Sequence, residues 1–171
     1  MFYDSMMNLK FPPIKPQKLP ERVIYKSGEN YIMFSTKTGE KLGHMIAGER
    51  FFGKAAEEDY IFYPKKENYI HLYIIGLWAK FKKQGIGKQF IELAKNLANN
   101  ERCQNRVTVY AMNNQDGNIL KASSPFFRKC GFTSSEKPGL EDVDRVLKGL
   151  KQKHGDWYCS LPMYLPVNQK K

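Results

Sequence analysis

The sequence predicts an α/β domain with a mixed sheet, and three observations predict it. Short β-branched and apolar runs crowd the stretch from Arg22 to Ala47 around a glycine-containing turn. The segment Tyr69 to Trp78 (YIHLYIIGLW) is almost continuously apolar, the pattern of a central strand covered on both faces. Helical and strand patterns then alternate to the end of the chain, and strands followed by a strand–helix–strand–helix–strand series build a sheet of this class.

Taken in order, the elements are these. Leu9 to Pro20 carries Pro12, Pro13, Pro16 and Pro20, which forbids helix and ladder pairing and favours an extended arm. The chain therefore divides into a Pro-rich arm over 1–21 and one domain over 22–171. Arg22 to Lys26 reads as a short strand. Tyr31 to Ser35 and Lys41 to Ala47 flank Lys37-Thr38-Gly39-Glu40 and read as a hairpin. After the Tyr69–Trp78 strand, Ile86, Phe90, Leu93, Ala94, Leu97 and Ala98 recur at three- and four-residue spacing and make one apolar stripe, a helix that stops at Asn99-Asn100. Val107 to Ala111 is the next strand. A second helix is expected over 118–129, a third over 140–152, and a closing strand over 157–165.

Composition bounds the partners. The chain has 171 residues, 42% of them hydrophobic, enough for one ordinary domain with a real core. The net charge of +11 attracts anions without choosing among nucleotide phosphates, nucleic acid and acidic lipid. Cys103, Cys130 and Cys159 are odd in number and form no CxxC pair, and His44, His71 and His154 do not cluster, so neither a disulfide framework nor a metal site is expected. No basic segment followed by an apolar run opens the chain, and no stretch has the apolar length of a membrane span, so a cytoplasmic protein is expected.

The chemistry is concentrated in LWAKFKKQGIGKQFIELA, Leu77 to Ala94. An apolar strand ends, a short basic loop follows, and Gly85 and Gly87 enter an amphipathic helix. Glycine admits close approach of a ligand to backbone. The first N–H groups of a helix lack internal partners and carry the positive end of the helix dipole. Together these features suit a pyrophosphate, with Lys82, Lys83 and Lys88 adding charge. The glycines also fit a plain strand-to-helix turn. The pattern is neither a dinucleotide fingerprint, which would have its glycines directly after the first strand of a βαβ unit and an acid about 20 residues on, nor a P-loop, since no Gly-Lys-Ser/Thr follows.

In this segment the sequence resembles the GCN5-related N-acetyltransferase (GNAT) family. Lys82-Lys83-Gln84-Gly85-Ile86-Gly87 matches that family's Arg/Gln-x-x-Gly-x-Gly/Ala signature, with Lys82 in the Arg/Gln position. Phe126-Phe127-Arg128-Lys129-Cys130-Gly131-Phe132 matches a second element, an aromatic pair before Gly-Phe, one strand later. The resemblance spans roughly Tyr31 to Phe132. It implies a GNAT-like mixed, mostly antiparallel central sheet flanked by helices, with acetyl-CoA as co-substrate. It also implies direct transfer of the acetyl group to a primary amine. By the same resemblance Leu77, Trp78 and Ala79 hold the pantetheine arm through backbone groups, Lys82 to Lys88 hold the pyrophosphate, Phe127 lines the cofactor, and Asn118 either reaches the pantetheine or, as its spacing to Phe127 favours, caps the second helix.

Two departures bear on catalysis. Phe127 stands where the family often has a tyrosine that protonates the departing thiolate, and phenylalanine has no proton to give. Either another group such as Tyr110 or Tyr158 then serves as the acid, Tyr158 being the candidate taken, or the thiolate leaves without help. His71 stands where histone-type members carry a glutamate base. A histidine with an ordinary pKa of about 6.5 suits that work, with Glu67 as the next candidate. Two other functions compete: a catalytically silent CoA-binding regulatory domain and a basic nucleic-acid-binding module. Most aromatics lie inside apolar strand patterns rather than interleaved with basic residues, so a nucleic-acid partner is not expected. The acceptor is unread, and so is the oligomeric state, a homodimer among the options.

Overall fold

The computed structural model describes residues 21–53, 68–81, 83–112, 124–134, 152, 155 and 160–167. Their elements are β1 (Arg22–Ser27), β2 (Asn30–Ser35), β3 (Lys41–Phe52), β4 (Tyr69–Ala79), α1 (Ile86–Ala98), β5 (Val107–Met112), α2 (Ser124–Lys129) and β6 (Ser160–Tyr164). The strands form one six-stranded sheet in sequence order. β1/β2, β2/β3 and β5/β6 are antiparallel. The end of β4 lies beside the start of β3, where the Lys80 N–H donates to the Leu42 carbonyl at 2.8 Å, an antiparallel arrangement. The start of β4 lies beside the start of β5, where the Leu72 N–H donates to the Arg106 carbonyl at 2.9 Å, so these two run parallel. This is the α/β class and the mixed, mostly antiparallel sheet expected from the sequence.

The chain packs as two units. The first lies within Met1–Gly48 and Ile74–Leu93. Its strands β1 and β2 turn at Gly28, which takes a left-handed φ of 59°. Cross-strand register sets Tyr31 opposite Met45 and Met33 opposite Gly43, so these four share one face. That face carries α1: an added Cβ on Gly43 would meet Ile86 Cγ2 and Phe90 Cε2, each at 2.8 Å. Ile86, Phe90 and Leu93 are all buried. Full burial of a side chain such as Phe90 stabilises by about 1.5–3 kcal/mol. The opposite face of β2 packs Ile32 and Phe34 with Val23 and Tyr25.

The second unit lies within Glu49–Tyr73 and Ala94–Lys171. The core strands are β5 and β6, with Val109 opposite Met163 and Ala111 opposite Leu161. Phe127 of α2 meets Phe132 edge to face at 5.3 Å after the chain reverses through Gly131 at φ 96°. The end of α1 is closed by Asn100, whose Oδ1 accepts the Arg102 and Cys103 amides at 2.9 and 2.8 Å and whose Nδ2 donates to the Leu97 carbonyl at 2.9 Å. This is a physical reason for the stop expected at Asn99-Asn100.

Several boundaries differ from the sequence reading. β3 continues five residues past Ala47, through Gly48-Glu49-Arg50-Phe51-Phe52, beyond the point where apolar alternation ends. Ile91 joins the buried side of α1 although it lies off the expected stripe. The arm over 1–20, residues 140–151 of the third helix, the 118–123 part of the second helix and residues 157–159 of the closing strand lie outside the described residues. Among the described residues no helix is long and apolar enough to cross a membrane.

Candidate cofactor site

β4 delivers the chain to the site and α1 leaves from it. Between them stands a turn with an unusual backbone. Lys83 has φ 62° and Gly85 φ 75°, while Gln84 between them has no positive φ, and Ile86 opens the helix. A residue in the left-handed region next to a right-handed one turns successive N–H groups toward one side, the geometry of anion-binding concavities, and Lys83 and Gly85 supply the left-handed members. A lysine in the left-handed region stores strain that glycine would not, and such strain gathers at functional turns. Gly85 has open space around a would-be Cβ, so its backbone angle, not crowding, requires glycine.

The helix start is open as well. The Gln89 N–H donates to the Gly85 carbonyl at 3.0 Å, which makes Gly85 the N-cap and Ile86, Gly87 and Lys88 the first helical residues. Glycine has no side chain with which to cap those three amides. The first turn contains no acid, and Lys88 stands in it exposed, against the usual preference of a helix N-terminus for negative charge. Lys83 and Gln84 are exposed beside it. A helix end that no side chain among the described residues caps, and that Lys83 and Lys88 flank, is stabilised by an anion bound there, a pyrophosphate being of suitable charge. Lys82 lies outside the described residues. Arg22, unremarked in the sequence beyond its place in a strand, donates through Nη2 to the Gln84 carbonyl at 2.8 Å.

The second half of β4 is not the doubly covered strand that its apolar run suggested. Ile75 is 46% exposed and Trp78 50%, whereas Leu77 and Ala79 are half-buried. The Lys41 ammonium lies 5.7 Å from the centre of the Trp78 ring, a cation–π contact. Lys80 is ion-paired with Glu40 and lies over Phe81, itself partly exposed. The strand end thus offers apolar surface and backbone beside the turn.

In the second unit His71 occupies β4 and is buried. Its Nδ1 is 2.5 Å from the Thr108 Oγ1, and its ring stands among Phe52, Tyr69 and Tyr73. Burial, and then the charges of Arg106 and Arg50, push its pKa down to about 4. The sequence expectation assumed an ordinary histidine pKa, and the structure departs from that assumption. Arg106 is itself buried: its Nε donates to the Ile70 carbonyl at 2.9 Å, and its guanidinium lies 5.4 Å from the Tyr69 ring centre. Neither Arg106 nor Thr108 stood out in the sequence, because a lone Arg or Thr at a strand start carries no periodic signal. Phe127 is buried, in edge-to-face contact with Phe126 at 5.2 Å. Tyr110 is half-buried against Tyr73. Tyr158, Asn118 and Glu67 lie outside the described residues.

No protein-family model matches the chain, and no curated protein does. Solved structures similar to it carry acetyltransferase names. One is a histone acetyltransferase HPA2 and related acetyltransferase from Corynebacterium glutamicum, at 16% identity and TM-score 0.45, covering 92% of this chain and 71% of that one. A second is the Bacillus subtilis N-acetyltransferase YlbP in complex with coenzyme A, at 15% identity and TM-score 0.47, covering 84% and 70%. A third is Chaetomium thermophilum Naa20 in complex with a bisubstrate analogue, at 12% identity and TM-score 0.47, covering 80% and 65%.

Proposed function

We propose that the chain is an acetyl-CoA-dependent N-acetyltransferase that moves the acetyl group directly to a primary amine. The observation that carries this reading is the turn of alternating φ at Lys83 to Gly85, which opens an uncapped, cation-flanked helix at the end of β4. In this reading the amides of Gly85, Ile86, Gly87 and Lys88 hold the pyrophosphate, with Lys82, Lys83 and Gln84 at its edge. Backbone groups of Leu77, Trp78 and Ala79 hold the pantetheine arm. The exposed Ile75 and Trp78 side chains are then apolar lining for the acyl end rather than bare surface.

The amine must lose its proton to attack the thioester carbonyl carbon. A C–N bond forms, the carbonyl oxygen takes up negative charge as the tetrahedral intermediate, and a backbone N–H near Trp78 stabilises it. The C–S bond then breaks and the thiolate leaves with the electron pair. His71 is the candidate to take the amine proton, and Tyr158 the candidate to return one to the thiolate. With a pKa near 4, His71 is neutral at pH 7 but a weak acceptor.

That weakness, together with the buried phenylalanine at 127, favours one second reading: a domain that binds CoA without turnover. Titration with acetyl-CoA tests the common part. Calorimetry should detect binding, and ligand at a hundred times its dissociation constant should add about 2.7 kcal/mol to stability. Gly87→Trp should abolish both effects by filling the cradle. No association at millimolar CoA with folded protein sinks both readings. Thiol release from acetyl-CoA across a panel of amines then separates enzyme from silent binder.

A further inference from the structure

Three neighbouring strands of the second unit put rings on one face of the sheet. Alternation sets Tyr69, His71 and Tyr73 of β4 on one side. Ring contacts join them to both neighbours. Phe52 of β3 stacks on Tyr69 at 5.0 Å and meets His71 edge-on at 6.3 Å, and Tyr110 of β5 meets Tyr73 edge-on at 5.8 Å. Arg50 stands two residues before Phe52 on β3, so it belongs to the same face. Burial decreases along that face. Tyr69 and His71 are buried, Phe52, Tyr73 and Tyr110 are half-buried, and Arg50 is exposed. The rings thus end in an open shelf at Tyr73 and Tyr110, with a guanidinium at its rim.

The charge on this face has one sign. Burial acts first on His71, and the positive charges of Arg106 and Arg50 add to it; burial also acts first on Tyr73, against the charge of Arg50. No carboxylate among the described residues acts on either ring. Glu49, beside Arg50 in the chain, is held by Arg102 at 3.1 Å and by Asn100 at 3.3 Å. Arg106 is engaged inside the fold by the Ile70 and Arg102 carbonyls and by Gln104. Arg50 is therefore the exposed cation of the face among the described residues. A cationic rim repels a second cation, which disfavours polyamines and lysine-rich peptides as acceptors. It favours an amine with its own carboxylate, because a planar guanidinium pairs with a carboxylate through two parallel hydrogen bonds. Tyrosine rings suit the apolar remainder. We propose that the acetyl acceptor is a small primary amine that also carries a carboxylate, with Arg50 holding the carboxylate and Tyr73 and Tyr110 carrying the rest of the molecule. This rests on the acetyltransferase reading above, with the amine on the His71 side of β4.

Thiol release from saturating acetyl-CoA is measured with phenylalanine and β-alanine, each paired with its carboxamide, and with spermidine. In the wild-type protein kcat/KM for the acids exceeds that for their carboxamides by about tenfold or more, the scale of a charge-assisted hydrogen bond. That comparison needs no variant to fold. Arg50→Gln brings acid and carboxamide to within about threefold of each other, and Arg50→Glu reverses their order. Both variants bind acetyl-CoA as the wild type does, which separates selectivity from folding. A wild-type protein that takes the carboxamides or spermidine as readily as the acids overturns the proposal. So does a preference for the acids that survives in both variants. Binding of acetyl-CoA with turnover of none of these amines overturns it too and favours the silent binder. A folded wild-type protein that binds no acetyl-CoA brings down the acetyltransferase reading itself, and this proposal with it.

Discussion

Gly43→Ala is expected to weaken CoA binding at least tenfold and to lower the melting temperature. Gly43 lies buried in β3 opposite Met33, beneath the first turns of α1. A Cβ there would stand 2.8 Å from Ile86 Cγ2, 2.8 Å from Phe90 Cε2 and 2.8 Å from the Trp78 carbonyl oxygen. The two side chains, Ile86 and Phe90, are both fully buried. The carbonyl cannot yield without moving β4, which the Lys80–Leu42 hydrogen bond holds to β3 at 2.8 Å. Relief must therefore come from lifting α1 or spreading β4 from β3. Overpacking of this kind costs about 1–3 kcal/mol, and for a chain of this length that is a fall of about 2–12 °C. Both routes of relief displace a wall of the cradle, the strand end at Trp78 or the amides at Ile86 to Lys88. Gly28→Ala is the control. It strains a left-handed turn at φ 59° in open space, so it lowers stability by about 1 kcal/mol and leaves CoA affinity alone. Calorimetry on the two variants decides: Gly43→Ala with wild-type affinity would mean that the helix start and strand end do not bind the cofactor.

What the sequence made legible, and what it hid, follows from the range of the signals. The stripe of Ile86, Phe90, Leu93 and Ala94 is local and periodic, so α1 was readable to within a residue of its observed ends. The Gly85-Ile86-Gly87 spacing after an apolar strand was readable for the same reason. The positive φ of Lys83 was not, because lysine has no preference that announces it. Gly43 looked like one more residue of a hairpin, since its meaning comes from α1 folding back across it. Arg22 and Gln84 are separated by 62 positions, and no pattern in one dimension joins them. The exposure of Ile75 and Trp78 was hidden behind an apolar run that is ordinarily doubly covered. His71 shows the same limit from the chemical side: its position on the strand was legible, but its environment, made by Arg106, Arg50 and Thr108, was not.

Replacement of His71 by glutamine is expected to remove a distinct part of the acid sensitivity of the fold. The His71 pKa is pushed down to about 4 in the folded chain, against about 6.5 when unfolded. The folded state therefore favours the neutral ring, and the unfolded chain binds the proton first. Stability from this group is fully present above about pH 6.5, falls as pH drops from there, and is gone below the folded value near 4. The shift corresponds to something on the order of 3 kcal/mol over that window. Among the described residues, Arg50 of β3 and Arg106 before β5 repel a second cation, and the ring also meets Thr108, Tyr69, Tyr73 and Phe52. Glutamine keeps a polar group for Thr108 and cannot titrate. Denaturant unfolding of the two proteins from pH 7.5 to 4 should thus give curves that converge as pH falls, and parallel curves would mean that His71 is not a buried neutral histidine. The same variant addresses catalysis. If His71 takes the proton from the amine, kcat/KM of the wild type breaks near pH 4 rather than 6.5, and the variant loses turnover while still binding CoA. Retained turnover in the variant assigns the base to another group and leaves His71 as the ring around which Tyr69, Tyr73 and Thr108 pack.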